Sequence, residues 1–434
     1  MKKGIKGLIK MVGPLALVTI MSSLLVGCSD SGSSGEGDDK VTEIRVVTAN
    51  HPWTEAIEKE LSAFEKETGI KVKIDSYFED QLTQKTSVEF ASHSDDIDVV
   101  MFRPLQDGKM FHKNGYFASL NDYAKKDNFT EDFIPAALGS VKAGDELFGL
   151  PLVTETEVLY YRKDLLEKAG LDVPKTLEEL EDAAKILHDP ENGIAGFVAR
   201  GKRAAAVTQF SSFLYGFGGD FIENDKSVIA TPEAIEAFEY YGNLLKNYGP
   251  KGTLNMSWPE AMAVFTQGKA AFYTDASSLF SNATDPSKSQ VADKVGFAPF
   301  PAGPDGAHPY NVTSWALGIG ANSNKKDAAW EFIHWALSKE MVEKLQAEGN
   351  PGARISVWNS PEGTAMFPED LAAAIAANGK ADGKPYDRPL VINVGKARDT
   401  IGDVIIAAQQ GKDVKAAAEK ADKAFQELLD KENK

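Results

Sequence analysis

Residues 145–170 read DELFGLPLVTETEVLYYRKDLLEKAG, and the interpretation of this stretch decides the fold. A short apolar strand runs into Gly149, Leu150 and Pro151. The polar run Val153 to Glu157 follows, and a second apolar strand, Val158 to Tyr161, leads into a helix. Glu155 and Glu157 therefore stand between two strands that read as buried. The expectation is a crossing between two lobes, with ligand chemistry at the crossing point.

On either side the chain alternates strands and helices. Upstream, Ile44 to Thr48 is a β-branched strand, and Pro52 sits where a first helical turn tolerates it. Ile57, Leu61 and Phe64 recur at helical spacing up to Gly69, which predicts one helix. Ile70, Val72 and Ile74 then alternate with polar residues, so strand, helix and strand make a βαβ unit. Ile97 to Phe102 (IDVVMF) is a continuous apolar run, as expected of a strand covered on both faces, and a helix ending near Gly115 follows. Downstream, Thr176 with Glu179 and Ser257 with Glu260 are capping boxes. Thr231-Pro232 opens a helix through Leu245, and Ala270 to Thr274 reads as a strand opening on Asp275 and Ser277. A Pro- and Gly-rich loop from Pro299 to Pro309 precedes a strand at Ala316 to Ile319. Helical faces close the chain around Trp330 to Leu337 and Val414 to Leu428. The class is α/β.

At 434 residues the chain exceeds one ordinary core, so two domains are expected. Its 43% hydrophobic and 26% charged content is that of a globular protein. A net charge of −17 with no dominant Lys/Arg cluster excludes nucleic acid as the expected partner. The first residues read as an export signal: Lys2, Lys3, Lys6 and Lys10 precede an apolar segment, Met11 to Val26, too short to span a membrane permanently. Cys28, the only cysteine, closes the run Leu25-Val26-Gly27-Cys28, which resembles the lipobox of bacterial lipoproteins. That resemblance implies a signal peptide over 1–27, a lipidated Cys28 and membrane anchoring. Residues 28–40, rich in Ser, Gly and Asp, read as a flexible tether.

Several segments in order, FEKETGIKV, GLPLVTETEVLYYRKDLLEKAGL with PKTLEEL, FTQGKAAFYTD, GFAPFPAGP and WALGIGANSNKKDAAWEFIHWALS, resemble the extracellular solute-binding proteins of ABC importers. The likeness is to the carbohydrate-binding family that includes maltose-binding protein, and it runs from about Val41 through Trp358. It implies a periplasmic-binding-protein-like fold of two α/β lobes joined by a three-strand hinge, with a ligand cleft between them. The crossings fall near Val153 to Val158, Val312 to Ala316 and Gly349 to Ala353. The lobes are then 41–154 plus 315–349 and 155–314 plus 350–434. The implied partners are a sugar or polyol and the permease of an ABC importer, with the protein a monomer outside the cytoplasm. No cofactor and no metal are expected.

Sugar hydroxyls call for carboxylates, amides and guanidinium forks, and their C–H faces for aromatic rings. Such groups belong in loops at the carboxyl ends of strands. By position, Asn50, His51 and Trp53 form one such loop, with Trp53 either stacking on a sugar or packing as a helix staple. Phe102 and Arg103 end the next strand, and Arg103 reads equally as an ion-pair partner. Glu155 is the strongest residue carried over from the family, while Glu157 reads as a strand-face or solvent residue. Thr208 and Ser211 lie in a segment that faces the ligand in relatives, and Trp258 stands at a helix entrance. Asp275 and Ser277 replace an aromatic contact of the relatives with polar groups. Ser314 and Trp315 fall in the second crossing, and Arg354 follows the third, where NPGARISVW resembles the sugar and polyol branch. A secreted carbohydrate hydrolase is the alternative. It would need two carboxyl groups flanking one bond at about 5–9 Å, and no such pair is singled out.

Overall fold

The computed structural model describes residues 43–432, and Cys28 with its flanking segments lies outside them. Eight strands make the central framework. They are β1 (Glu43–Ala49), β2 (Lys71–Tyr77), β3 (Val99–Phe102), β4 (Leu150–Arg162), β5 (Ala195–Val198), β6 (Ala270–Ala276), β7 (Val295–Pro299) and β8 (Asn311–Ile319). Their order is β2-β1-β3-β8-β4-β6-β5, with β7 also paired to β4. The βαβ expectation holds: β1 pairs in parallel with both β2 and β3. Strand β3 is buried throughout, whereas β2 at the edge alternates, as its sequence period requires.

Strand β4 differs from the expectation. Instead of two strands parted by a polar loop it is one strand of 13 residues. Its first half, Leu150 to Thr156, pairs antiparallel with β8, and its second half, from Glu157, pairs with β6 and β7. The backbone thus stays hydrogen-bonded through the polar run, which is why those residues do not loop out. Thr154 also bonds across to the later stretch, its N–H to the Pro351 carbonyl at 3.1 Å and its hydroxyl to that of Gly352 at 2.9 Å. The three expected crossings therefore run side by side, but only two are strands; Gly349 to Ala353 is irregular.

The predicted helix from Pro52 to Gly69 is two, α1 (Pro52–Glu58) and α2 (Leu61–Thr68). The N–H groups of Lys59 and Glu60 bond back only three residues, a tighter turn that no Gly or Pro signals. Gly69, at φ +73°, ends α2 as a left-handed cap. The helices signalled at Thr176, Thr231 and Ser257 form where expected, among others. α3 spans Glu79–Ala91, α4 (Leu177–Leu187) starts on the Thr176/Glu179 box, and α5 spans Arg203–Gly216. Next come α6 (Pro232–Tyr248) and α7 (Trp258–Thr266), the latter on the Ser257/Glu260 box. Towards the C-terminus lie α8 (Lys326–Ala336), α9 (Glu369–Lys380), α10 (Val394–Gln409) and α11 (Val414–Glu432).

Apolar burial falls into separate cores, which is what makes two lobes. One gathers residues from Ile44 to Val153 with Trp315 to Ala353. The others, on the two faces of the β4–β6 sheet, draw on residues between Val158 and Leu429. Strands β4 and β8 are the continuous elements that pass from one to the other.

Candidate functional site

Charged side chains from both lobes converge where β1, β3 and β6 end and β4 crosses. On the first lobe Arg103, just after β3, donates to Glu79 at 3.1 Å and to Thr83 at 2.9 Å, with Asp107 at 3.5 Å. Its guanidinium lies 5.9 Å from the Trp315 ring, and Trp315 meets His51 edge-on at 6.0 Å. His51 caps α1, its Nδ1 accepting from the Trp53 N–H, and burial pushes its pKa down to about 4, so the ring is neutral. Burial alone would raise the Glu79 carboxyl, but Arg103, Arg200 and contact with Trp258 hold it below its ordinary value. Glu79 keeps 44% of its side-chain surface accessible, so its charge still faces solvent.

On the second lobe Arg200, after β5, grips Asp275 near the end of β6 by donating from Nη2 and Nε, at 2.6 and 3.1 Å. Asp275 is fully buried and also accepts from the Tyr273 hydroxyl and the Ala276 N–H. This bidentate pair is fixed in geometry and leaves the fork's outer edge to donate. Glu155 accepts from the Ser278 hydroxyl at 2.6 Å. Although it retains some solvent contact, burial pushes its carboxyl up to about 7, with Ser278 opposing.

A third group bridges the lobes. Gln106, from the turn after Arg103, accepts through one amide oxygen from Arg388 and Arg398, both at 3.0 Å. Arg388 is paired with Asp387, whose carboxyl Arg388 and Arg398 hold down at about 2 against the opposing effect of burial. Both arginines also approach Thr208, at 3.4 and 3.2 Å. Lys109 donates to the Leu390 carbonyl at 2.7 Å. A cavity of about 490 Å³ lies at this edge, between Lys109 and Lys113 on one side and Tyr386, Leu390 and Leu429 on the other.

The structure thus brings His51, Arg103, Glu155, Thr208, Trp258, Asp275 and Trp315 into or beside one network. Asn50 is exposed at its margin. Ser314 donates to the Val153 carbonyl at 3.3 Å and lies near Glu155. Six readings are corrected or narrowed. Trp53 is 3% exposed within the first core, the staple rather than a stacking face. Phe102 is packed against Phe117, and a Cβ on Gly149 would meet its ring at 2.8 Å. Ser211 bonds its own helix at the Thr208 carbonyl. Ser277 accepts from the Thr156 N–H, leaving Ser278 as the hydroxyl on Glu155. Arg354 donates to the Leu337 carbonyl at 2.6 Å, pairs with Asp132 and lies between Phe129 and Phe133. Glu157 is not a solvent residue: it is completely buried.

Sequence reasoning missed Glu79, Gln106, Arg200, Ser278, Arg388 and Arg398. Arg200 stands two residues beyond the buried strand β5 and Arg103 one residue beyond β3, and a basic residue just past a buried strand was a usable signal. Arg388 lies in irregular chain and Arg398 on a helix, with no pattern to mark either.

Residues 50–343 match the family model described as bacterial extracellular solute-binding protein. A mannitol-binding protein of Pseudomonas aeruginosa is 30% identical over 295 residues, 65% of this chain and 66% of that protein, just under two thirds of its length. Among solved structures, an ABC transporter solute-binding protein of Agrobacterium radiobacter K84 in complex with ribitol is 29% identical with a TM-score of 0.80, covering 89% of this chain and 98% of that one. The maltose-bound MalE3 of T. maritima has a TM-score of 0.80 at 27% identity, covering 89% and 99%.

Proposed function

Because the chain belongs to the bacterial extracellular solute-binding proteins, we propose that it captures a sugar or polyol between its lobes and delivers it to the permease of an ABC importer. The observation that carries this is the facing pair of fixed forks, Arg103 with Glu79 on one lobe and Arg200 with Asp275 on the other, flanked by Trp258 and Trp315. Guanidinium and carboxylate edges held rigid by one another suit hydroxyls that both donate and accept, and indole faces suit C–H surface. Hinge closure, a property of such two-lobed binders, would be favoured by a solute that touches both forks at once. The ligand-contact set is His51, Glu79, Arg103, Glu155, Arg200, Trp258 and Ser278, with the buried Asp275 and Trp315 backing Arg200 and Arg103. One relative is named for mannitol and two similar solved structures hold ribitol and maltose, which supports a polyhydroxylated solute as the class.

The lobes of this reading are 41–154 with 315–349 and 155–314 with 350–434. The bonds of Asp132 to Ser356 favour a return to the second lobe a few residues later. A lipid on Cys28 would hold the monomeric receptor at the outer face of the membrane, on the support of the Leu25-Val26-Gly27-Cys28 run. Replacing Cys28 by Ser releases the protein from the membrane fraction; retention there places the anchor elsewhere.

Thermal denaturation with ribitol, D-mannitol and maltose tests the binding role. A solute at about 100 times its Kd adds roughly 2.7 kcal/mol, a rise of a few degrees. Stabilisation with the solute recovered intact supports a receptor. Consumption of the solute would establish a hydrolase instead.

A further inference from the structure

Nine buried side-chain polar atoms lack a hydrogen-bond partner among the described residues, and six of them belong to four side chains: Glu157 Oε1 and Oε2, Gln209 Oε1 and Nε2, Thr274 Oγ1 and Tyr310 OH. All four residues are at most 1% exposed. They come from β4, α5, β6 and the residue preceding β8, and they meet in one place. The Glu157 N–H donates to the Tyr310 carbonyl at 3.3 Å, and the Tyr310 N–H donates to Ser212 Oγ at 3.1 Å. Gln209 lies one helical turn before Ser212. In the β4–β6 register Glu157 faces Ala276, so Thr274 is its diagonal neighbour on the same face. Glu155, two residues earlier on β4, shares that face and joins the cluster to the ligand-contact set.

A buried polar atom left unbonded is destabilising, so six of them gathered in one place call for a functional explanation. We propose that Glu157, Gln209, Thr274 and Tyr310 form the deep end of the ligand site, a subsite for the uncharged hydroxymethyl end of a small sugar or polyol. This rests on the receptor reading above.

The chemistry of the four groups favours a hydroxyl over a charged end. Burial pushes the Glu157 carboxyl upward, with the Ser212 and Thr274 hydroxyls opposing, which favours the protonated form that donates through one oxygen and accepts through the other. Gln209 likewise offers both roles, as do the two hydroxyls. A primary alcohol donates one hydrogen and accepts others, matching this set. None of the four side chains supplies the cation that a carboxylate end would need.

The test is calorimetry of the full chain with ribitol, D-mannitol and maltose, comparing the unmodified protein with Gln209→Leu and the near-isosteric Tyr310→Phe. Each variant is expected to bind 10–100-fold more weakly while its ligand-free thermal midpoint stays the same or rises, because an unbonded polar group has been removed. If D-mannitol binds, 1-deoxy-D-mannitol should bind the unmodified protein more weakly than D-mannitol, and Tyr310→Phe should narrow that gap. Undiminished affinity with a lowered ligand-free midpoint would make the cluster a structural feature and overturn the subsite alone. Failure of the unmodified protein to bind any of the three solutes would overturn the receptor reading, and the subsite with it.

Discussion

Arg354 shows how far a residue's neighbours can redirect it. Its guanidinium lies 4.7 and 4.5 Å from the Phe129 and Phe133 rings and faces Asp132, a partner 222 positions away in sequence. In a Gly- and Pro-rich crossing an arginine reads as a ligand fork; in the folded chain every face of it is already occupied. Arg354→Ala is expected to cost about 2–4 kcal/mol in urea denaturation, through the lost cation–π and ion-pair contacts, with solute affinity unchanged. Weakened binding at full stability would return it to the site. Phe102 carries a related lesson. The apolar run that marks β3 as covered on both faces already implied a buried ring, and packing outweighed the positional likeness to a ligand loop. Asp275 and Arg103, by contrast, were legible as polar ends of apolar strands, although not as halves of two opposed pairs.

At the scale of elements, β4 is the informative one. Its polar run looked like a break because Thr and Glu interrupt two apolar segments. The break does not form because each group finds a partner: Thr154 on Gly352, Glu155 on Ser278, Thr156 on Asn378, and the backbone on β8. Only Glu157 is left without one. Two raised carboxyls on one strand give a definite pH signature. A folded-state pKa of about 7 for Glu155 against an ordinary 4.5 means that the folded form holds a proton which the unfolded form has released. The associated stability is complete below about pH 4.5 and is lost as pH rises through 7. The thermal midpoint should therefore decline more steeply between pH 5 and pH 8 in the unmodified protein than in Glu155→Gln. Parallel curves would show that Glu155 is ionised throughout; the direction for Glu157 is the same and remains in the variant.

For the whole molecule the deciding contacts are those between lobes. Gln106 accepts from two arginines that belong to the far end of the chain, 282 and 292 positions away, and Lys109 reaches Leu390 across the same gap. These bonds exist only while the lobes are together, so they add to closure without touching the proposed contact set. Gln106→Ala is expected to weaken solute binding about tenfold, or roughly 1.4 kcal/mol, and to enlarge the ligand-free radius of gyration in small-angle scattering. An unchanged radius and affinity would mean that closure does not depend on this bridge.

By itself the sequence determined what short-range chemistry can specify: the α/β alternation, the capped helices, the covered strand β3, and Glu155 in a chain crossing between lobes. Those are properties of periodicity and of neighbours a few residues apart. Only the tertiary structure decided that β4 runs unbroken, that Arg200 and Arg103 oppose one another with their carboxylates, and that Arg354 is packed between Phe129 and Phe133. It also decided that Glu157 is sealed among Gln209, Thr274 and Tyr310. Each of these depends on groups separated by tens to hundreds of residues, which burial and hydrogen bonding select and which no local pattern encodes.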